Sequence, residues 1–205
     1  MAVITISRQF GAAGKTLGRR IADTLRYYYA DEDIIERAVV EASVSPEGKK
    51  ILETESGDKV KRFISRLNPF GTSLMELPLS NKERYIDGFK YVDLLNLIIP
   101  KVAKDGNTVI VGRGGQYILH DSDDTYHLLL IAKEEDRIKF IEEKYRVSSA
   151  KAIQMIKRMD KRRANLYGYF GRKDYDNPTL YSLVLNMSTL SIDQAEAFVH
   201  NMIHG

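Results

Sequence analysis

The first 26 residues restrict the fold more than any other part of the sequence. "AVITIS" (2–7) is a short apolar run rich in β-branched residues, which is typical of a buried strand. It leads within a few residues to the glycine-containing loop "FGAAGKT" (10–16). A helix is predicted from Gly14 to about Arg26, because its apolar residues recur at i, i+4 and i+8. Strand, glycine loop and helix in this order predict a turn whose backbone faces an anion.

The loop matches most of the phosphate-binding pattern G-x-x-x-x-G-K-[ST], but Gln9 replaces the first glycine. In this pattern the backbone N–H groups cradle a polyphosphate, the lysine reaches the β- and γ-phosphates, and the hydroxyl binds Mg²⁺. Gln9 is compatible with that role if its backbone angles are ordinary and its side chain points outward. The alternative is a strand-to-helix turn with a chance match, which the position after the first strand disfavours. We therefore predict nucleotide contacts from Gly11, Ala12, Ala13, Gly14, Lys15 and Thr16, with Thr16 as the metal ligand.

The remaining chain alternates strands with helices. A parallel α/β sheet covered on both faces is expected from this alternation. Asp31 is expected to cap the helix after the second strand. A later helix is predicted from Ser80, which forms a capping box with Glu83, to about Lys104, and Pro100 should kink or split it. Further strands are predicted at 27–29, 107–112, 126–132 and 181–187.

Residues 43–80 differ in character from their surroundings. They contain three prolines, three glycines and only short apolar groups, which predicts a mobile helical insertion. The insertion falls between the second and third strands and carries the cationic run "KVKRFISR". The polar or cationic side chains of this run include those of Arg62, Ser65 and Arg66.

Composition excludes several classes of protein. No apolar run approaches the roughly 18 residues needed to span a bilayer, and the first residues lack the pattern of a secretory signal. There is no cysteine, which excludes disulfides and thiolate metal sites. The 31 Lys and Arg residues exceed the 28 Asp and Glu residues by three, so charge gives no strong signal for nucleic acid. We expect a cytoplasmic protein without a membrane anchor.

Positive charge is concentrated in "KRMDKRR" (157–163), which holds five cations and one anion. Such a run on a helix is either a solvated face or a clamp for phosphates. The sequence pattern leaves both interpretations open.

Six segments, in this order, resemble the cytidylate kinase-like proteins, a group within the nucleoside monophosphate kinase branch of the P-loop kinases. The resemblance covers nearly the whole chain and is weakest from 43 to 80. In that family a polar residue occupies the position of Gln9. The segments are "ITISRQFGAAGKTLGRRIA", "YYADEDIIERA", "VIVGRGGQYIL", "LLLIAKEEDRIKFI", "IKRMDKRRANLYGYFG" and "YSLVLNMSTLSIDQAEAFV".

The resemblance implies a single domain over residues 1–205 with a three-layer, P-loop kinase-like α/β fold. Its five-stranded parallel sheet should have the strand order 2-3-1-4-5. Residues of about 43–80 should form the acceptor-binding insertion, in which Arg62, Ser65 or Arg66 would reach an acceptor phosphate. Residues of about 158–175 should form a small lid.

The resemblance also implies a reaction, the transfer of the ATP γ-phosphoryl group to a nucleoside monophosphate with Mg²⁺. CMP or dCMP is the first expectation for the acceptor. Lys15 is the catalytic cation on the donor side. Arg113 matches the position of an acceptor-phosphate arginine, with a structural salt bridge as the alternative. Arg8, beside the loop, either binds the acceptor or has a surface role. Asp160 either orients the lid arginines or is a solvated carboxylate. The lid arginines themselves, also expected to be catalytic, are Arg158, Arg162 and Arg163.

Two acids of true cytidylate kinases are missing from this chain, because Val111 and Gly114 stand in their places. CMP is therefore an uncertain acceptor. A kinase for a small non-nucleotide acceptor and a nucleotide-binding regulator without turnover are the alternatives. The tyrosines from 167 to 175 either pack in the core, which we favour, or stack on a base.

Overall fold

The computed structural model describes residues 2–67 and 87–205. Five strands form one parallel sheet in the order β2-β3-β1-β4-β5, which confirms the expected strand order. The strands are β1 (Val3–Arg8), β2 (Tyr28–Ala30), β3 (Thr108–Val111), β4 (Thr125–Ile131) and β5 (Leu183–Asn186).

Helices cover both faces of this sheet, so the predicted three-layer α/β class is confirmed. A 3₁₀ turn at Pro178–Leu180 precedes β5. The helices are α1 (Gly14–Leu25), α2 (Glu32–Val44), α3 (Pro46–Glu53), α4 (Gly57–Leu67), α5 (Gly88–Ala103), α6 (Gly115–Ile118), α7 (Glu134–Tyr145), α8 (Ser149–Tyr169) and α9 (Ile192–His204).

The core lies where the central strands meet the helices on either face. Ile4 and Ile6 of β1 and Leu128 of β4 are fully buried, as are Leu17 of α1 and Ile99 of α5. Burying a side chain of this size contributes about 1.5–3 kcal/mol each. Because both faces are covered, the strands read as continuous apolar runs rather than as alternating ones. The core fixes the carboxyl end of β1, and with it the start of the loop.

A side-chain cap fixes the beginning of α2. The carboxylate of Asp31 accepts hydrogen bonds from the N–H groups of Asp33 and Ile34, both at 3.1 Å, as the sequence predicts. The cap sets the rotation of α2 at its first turn. The acids at positions 32, 33 and 36 consequently lie near the loop.

The helix containing Pro100 is not split. α5 runs without a break from Gly88 to Ala103 and is capped by the side chain of Asp87. Pro100 lies in the last turn, so most of the helical hydrogen bonds precede it. The predicted start at Ser80, with its capping box to Glu83, lies outside the described residues.

The described part of the expected insertion is helical. α3 begins at the Ser45 cap, whose hydroxyl oxygen accepts a hydrogen bond from the Gly48 N–H at 2.8 Å. α4 buries Val60, Phe63 and Ile64 against the main core. Within residues 2–67 and 87–205, no helix combines the length and the apolar character needed to cross a membrane.

Candidate active site

The loop between β1 and α1 leaves backbone donors without partners. Ala13 precedes the first turn of α1 and offers no side-chain acceptor, unlike the capping residues of α2, α3, α5, α8 and α9. Within the described residues, the N–H groups of Gly14, Lys15 and Thr16 have no backbone acceptor. Unpaired donors at a helix start attract an anion, and the positive end of the helix dipole adds to the attraction.

The loop also holds a strained residue. Ala13 adopts a left-handed conformation with φ of 58°, which costs about 1–2 kcal/mol for a residue with a Cβ. Gly11 has φ of 92° and packs against the backbone of Arg137. A Cβ on Gly14 would lie 2.6 Å from Cγ of Arg8. The loop is thus held in one shape by close packing, which is the setting in which functional strain persists.

Gln9 extends the pairing of β1 with β4. Its N–H donates to the carbonyl of Leu130 at 3.0 Å, and its side-chain oxygen accepts from the Ala132 N–H at 3.0 Å. Its φ lies outside the left-handed region, as expected. The side chain does not project freely outward, because its amide oxygen accepts a hydrogen bond at the end of β4. Gln9 therefore anchors the loop instead of merely being tolerated in it.

Lys15 contacts three acids that the sequence analysis did not assign to the site. Its Nζ lies 2.6 Å from Oδ2 of Asp33, 3.3 Å from Oε1 of Glu32 and 3.9 Å from Oδ2 of Asp31. The predicted phosphate-binding cation is therefore neutralised by the first turn of α2 in the structure described here.

Thr16 is exposed, and its hydroxyl oxygen accepts a hydrogen bond from Nζ of Lys144 at 3.5 Å. Burial lowers the pKa of Lys144, and the nearby charge of Lys15 acts in the same direction. In the described residues, no group of three or more acids and histidines could hold a metal alone. Mg²⁺ commonly takes few protein ligands and completes its shell with water and substrate phosphates. The exposed Thr16 hydroxyl fits an ion held in that way.

A cavity of about 450 Å³ opens between the loop, α2 and α8. Five of the arginines that the sequence analysis selected for acceptor or lid roles line it, so the structure brings these five together. Four carboxylates line it as well. The lining residues are Arg8, Phe10, Glu32, Asp33, Glu36, Arg113, Arg158, Met159, Asp160, Arg162, Arg163, Leu166 and Tyr167.

Arg8 and Arg113 lie on the inner side of this cavity. Arg8 forms an ion pair with Glu32. Burial lowers the pKa of Arg8 to about 10, and the charges of Arg113 and Arg163 act in the same direction. Arg113 pairs with Glu36 and donates from Nε to the carbonyl of Glu32 at 3.4 Å. Arg8 remains cationic at neutral pH despite its cationic neighbours.

The three arginines of α8 have different environments. Arg162 is half-exposed and donates from one nitrogen to both oxygens of Glu36, at 3.0 and 2.8 Å. Arg163 is largely buried and donates to Oγ of Ser7 at 3.0 Å and to Asp176 at 2.8 Å. Arg158 is exposed and has no hydrogen-bond or ion-pair partner among the residues that the structure describes. The charged run at 157–163 is therefore more than a solvated face.

Asp160 does not orient these arginines, and it is not merely solvated. Its Oδ2 accepts from a terminal nitrogen of Arg137 at 2.5 Å, and its Oδ1 accepts from the Phe10 N–H at 3.4 Å. Nε of Arg137 also donates to the Phe10 carbonyl at 2.7 Å. The sequence analysis missed Arg137. One sequence feature could have pointed to Arg137. It lies in the first turn of the helix after β4, and the carboxyl end of β4 lies beside the loop.

The insertion residues expected near an acceptor lie elsewhere. Ser65 donates its hydroxyl hydrogen to the carbonyl of Lys61, and Arg66 forms an exposed ion pair with Glu47 at 3.6 Å. Neither they nor Arg62 line the cavity. Their side chains lie on the exposed face of α4, because its opposite face is buried in the core.

Core packing is confirmed for Tyr167. Its side chain is buried, and its ring stacks on that of Tyr175 with centroids 4.8 Å apart. Its hydroxyl lies 3.2 Å from Oγ of Ser7. The guanidinium of Arg163 lies over both rings, at 5.5 and 4.8 Å from their centroids. The tyrosines thus support an arginine of the cavity wall.

A parallel sheet of order 2-3-1-4-5, a strand–loop–helix with free donors and a cationic cavity beside it define a P-loop kinase fold. No curated protein sequence matches the chain significantly. The model of the cytidylate kinase-like family matches residues 3–189, and the chain belongs to that family. Membership in a kinase-like family supports phosphotransferase activity.

Solved structures show the same fold at low sequence identity. An uncharacterized protein from Eubacterium ventriosum is 15% identical with a TM-score of 0.68, covering 100% of this chain and 99% of the other. Shikimate kinase from Bacteroides thetaiotaomicron is 13% identical with a TM-score of 0.53, covering 100% and 99%. Shikimate kinase from Acinetobacter baumannii, in complex with shikimate, is 11% identical with a TM-score of 0.52, covering 100% and 93%.

Proposed function

We propose that this protein catalyses ATP-dependent phosphoryl transfer to a small anionic acceptor, with CMP and dCMP as the first candidates. One observation carries the proposal. A cavity lined by five arginines adjoins a loop whose helix start has unpaired N–H donors. Phosphoryl transfer needs chiefly positioning and neutralisation of charge on the transferred group, and this arrangement supplies both.

The reaction breaks the bond between the γ-phosphorus and the oxygen that bridges it to the β-phosphate. It forms a bond between that phosphorus and an acceptor oxygen, and ADP leaves. With a nucleoside monophosphate the attacking oxygen belongs to the ionised acceptor phosphate, so no hydroxyl proton has to be removed. Bound Mg²⁺ would neutralise phosphate charge at the Thr16 end of the loop.

The residues of the chain divide between the two substrates. The loop from Gly11 to Thr16 and the Lys15 ammonium bind the donor phosphates. Arg113 and Arg8 bind the anionic group of the acceptor. The α8 arginines neutralise the negative charge of the phosphoryl group during its transfer; they are Arg158, Arg162 and Arg163. Residues from about 158 to 175 act as the lid.

A second candidate is a small hydroxylated acceptor that is not a nucleotide. Asp33 lines the cavity, and its carboxylate lies 2.6 Å from Nζ of Lys15. A carboxylate placed there could accept the proton of an attacking hydroxyl. Val111 and Gly114 also stand where acids are expected for a cytidine acceptor. Since a shikimate kinase with bound shikimate shares the fold, shikimate is a suitable member of an acceptor panel.

The test is ADP formation from ATP and Mg²⁺ with a panel of nucleoside monophosphates, shikimate and other small hydroxy acids. We expect one acceptor class to stimulate ADP formation far above the rate of Lys15→Ala. Lys59→Ala removes an exposed lysine of α4 and is the matched control. If no acceptor raises ADP formation above the Lys15→Ala background, the proposal is refuted. ATP binding without turnover would then indicate a regulator.

A further inference from the structure

One helix neutralises most of the cations assigned to phosphate binding. Glu32 pairs with Arg8 and Lys15, and Glu36 pairs with Arg113 and Arg162. Glu32 and Glu36 are one helical turn apart on α2, so they share a face. The acids therefore occupy positions beside guanidiniums where anionic substrate groups are expected.

Glu36 is the acid placed to be exchanged for a substrate anion. Five guanidiniums and four carboxylates line the cavity, but Asp160 is committed to Arg137 and Asp33 to Lys15. The side chain of Glu36 is 26% exposed, whereas that of Glu32 is 14% exposed. Water and solutes therefore reach Glu36 more readily. Glu36 also bridges the proposed acceptor arginine to the lid arginine.

Arg113 has contacts besides the ion pair with Glu36. Its backbone has φ of 57°, its Nε donates to the Glu32 carbonyl, and its guanidinium lies 5.7 Å from the centroid of the Tyr91 ring. Its side chain is only 9% exposed. Arg162, by contrast, is 51% exposed, and Glu36 is its one partner among the described residues. An anion replacing Glu36 would therefore meet a fixed arginine and a movable one.

We propose that Glu36 holds the place of the acceptor's anionic group and thereby selects doubly charged phosphate monoesters over singly charged acceptors. This inference rests on the proposed function. A singly charged acceptor group has the same charge as the Glu36 carboxylate that it would have to replace. Because Glu36 is tethered beside the arginines, its carboxylate stays bound to them. A dianion brings an additional charge to two guanidiniums and can accept bidentate bonds, so it displaces Glu36.

The test measures equilibrium binding without turnover. Calorimetry compares CMP with its phosphate methyl ester, whose phosphate group carries a single negative charge throughout the pH range of the test. Wild type should bind CMP about tenfold more tightly than the ester at pH 7.5. The preference should diminish as pH falls through about 6, where a phosphate monoester takes up its second proton.

Glu36→Gln removes the competing charge while conserving shape. This variant should bind the methyl ester about tenfold more tightly than wild type and so narrow the preference for CMP. Glu41→Gln is the matched control, since it makes the same charge change on α2 without breaking an ion pair among the described residues. It should leave both affinities unchanged.

Equal wild-type affinities for the two probes, or no binding of either, would overturn the proposal even if Glu36→Gln failed to fold. So would unchanged or weaker ester binding by a folded Glu36→Gln variant. These results are independent of the ADP assay, because binding is measured without ATP. A protein that transfers phosphate but shows no preference for the dianion would keep the proposed function and lose this inference.

Discussion

Replacing Arg137 with alanine should both destabilise the protein and weaken nucleotide binding. Its side chain is 9% exposed and joins the Phe10 carbonyl, at 2.7 Å, to the Asp160 carboxylate, at 2.5 Å. It thereby links the loop to α8, which carries the arginines proposed for the lid. Arg137→Ala removes both links and opens space beside Gly11, whose backbone packs against that of Arg137.

The magnitude follows from the two hydrogen bonds that are lost. A bond involving a charged group contributes about 1.5–3 kcal/mol net, so two such bonds set an upper range of about 3–6 kcal/mol. Asp160 is 38% exposed, so water solvates its carboxylate once the arginine is gone. We therefore expect a loss of about 3 kcal/mol in the free energy of unfolding. In a domain of this size that corresponds to a fall in Tm of roughly 6–12 °C.

Urea denaturation followed by circular dichroism measures the loss, and ATP titration measures the effect on the loop. Arg137→Lys should recover part of the stability, because an ammonium can pair with Asp160 without forming the two-way link to Phe10. Lys139→Ala, an exposed neighbour on α7, is the control. An Arg137→Ala variant within about 0.5 kcal/mol of this control, the range of ordinary surface substitutions, would show that the link does not stabilise the loop.

Four further predictions concern the loop, the lid and the core. Lys15→Ala should abolish turnover with the fold intact, which kinetics and circular dichroism check; unchanged ADP formation and ATP affinity would contradict its role. Arg162→Ala and Arg163→Ala should lower kcat more than they lower the affinity for ATP, as measured by steady-state kinetics and direct binding. Arg162→Lys should not restore turnover fully. Wild-type turnover in both alanine variants would exclude a lid role. Burial lowers the pKa of His127 from 6.5 to about 4, so the neutral side chain stabilises the fold above pH 6.5 and this contribution is lost as pH falls toward 4. In urea denaturation over a pH series, His127→Asn should reduce the slope of the unfolding free energy against pH on the acid side. An unchanged slope would contradict this. Gly14→Ala places a Cβ 2.6 Å from Cγ of Arg8, so ATP titration should show weakened ATP binding. Wild-type affinity would mean that the Arg8 side chain moves aside without an effect on ATP binding.

Much of the fold was predictable because local signals agree with the global arrangement. The apolar strands, the α2 cap at Asp31 and the loop before α1 each follow from short-range patterns. The placement of Arg8, Arg113 and the α8 arginines around one cavity followed from the family resemblance, and the structure brings them together.

The acids of α2 could not be recognised in the same way. Glu32, Asp33 and Glu36 have the spacing of an ordinary solvated helix face, and nothing local distinguishes them from one. Their partners are distant in sequence, Arg113 and Arg162 being brought to Glu36 by the sheet order and by α8. Arg137 escaped notice for the same reason, because its contact with Phe10 joins α7 to the loop after β1. Tertiary contacts of this kind have no periodicity to detect.

The acidic face of α2 follows from the physics of gathering arginines. Arg8, Arg113 and Arg163 lie close enough for two of the charges to depress the pKa of the third, and such a cluster would repel itself if it were unneutralised. Glu32 and Glu36 supply the neutralising charge before substrate arrives, which stabilises the unliganded fold. The same pairing must be exchanged when an anion binds, so stability without ligand and affinity for ligand oppose each other at these two residues. Substitutions of Glu32 and Glu36 should therefore lower the melting temperature and raise anion affinity together, whereas a merely structural pair of acids would change the first quantity alone.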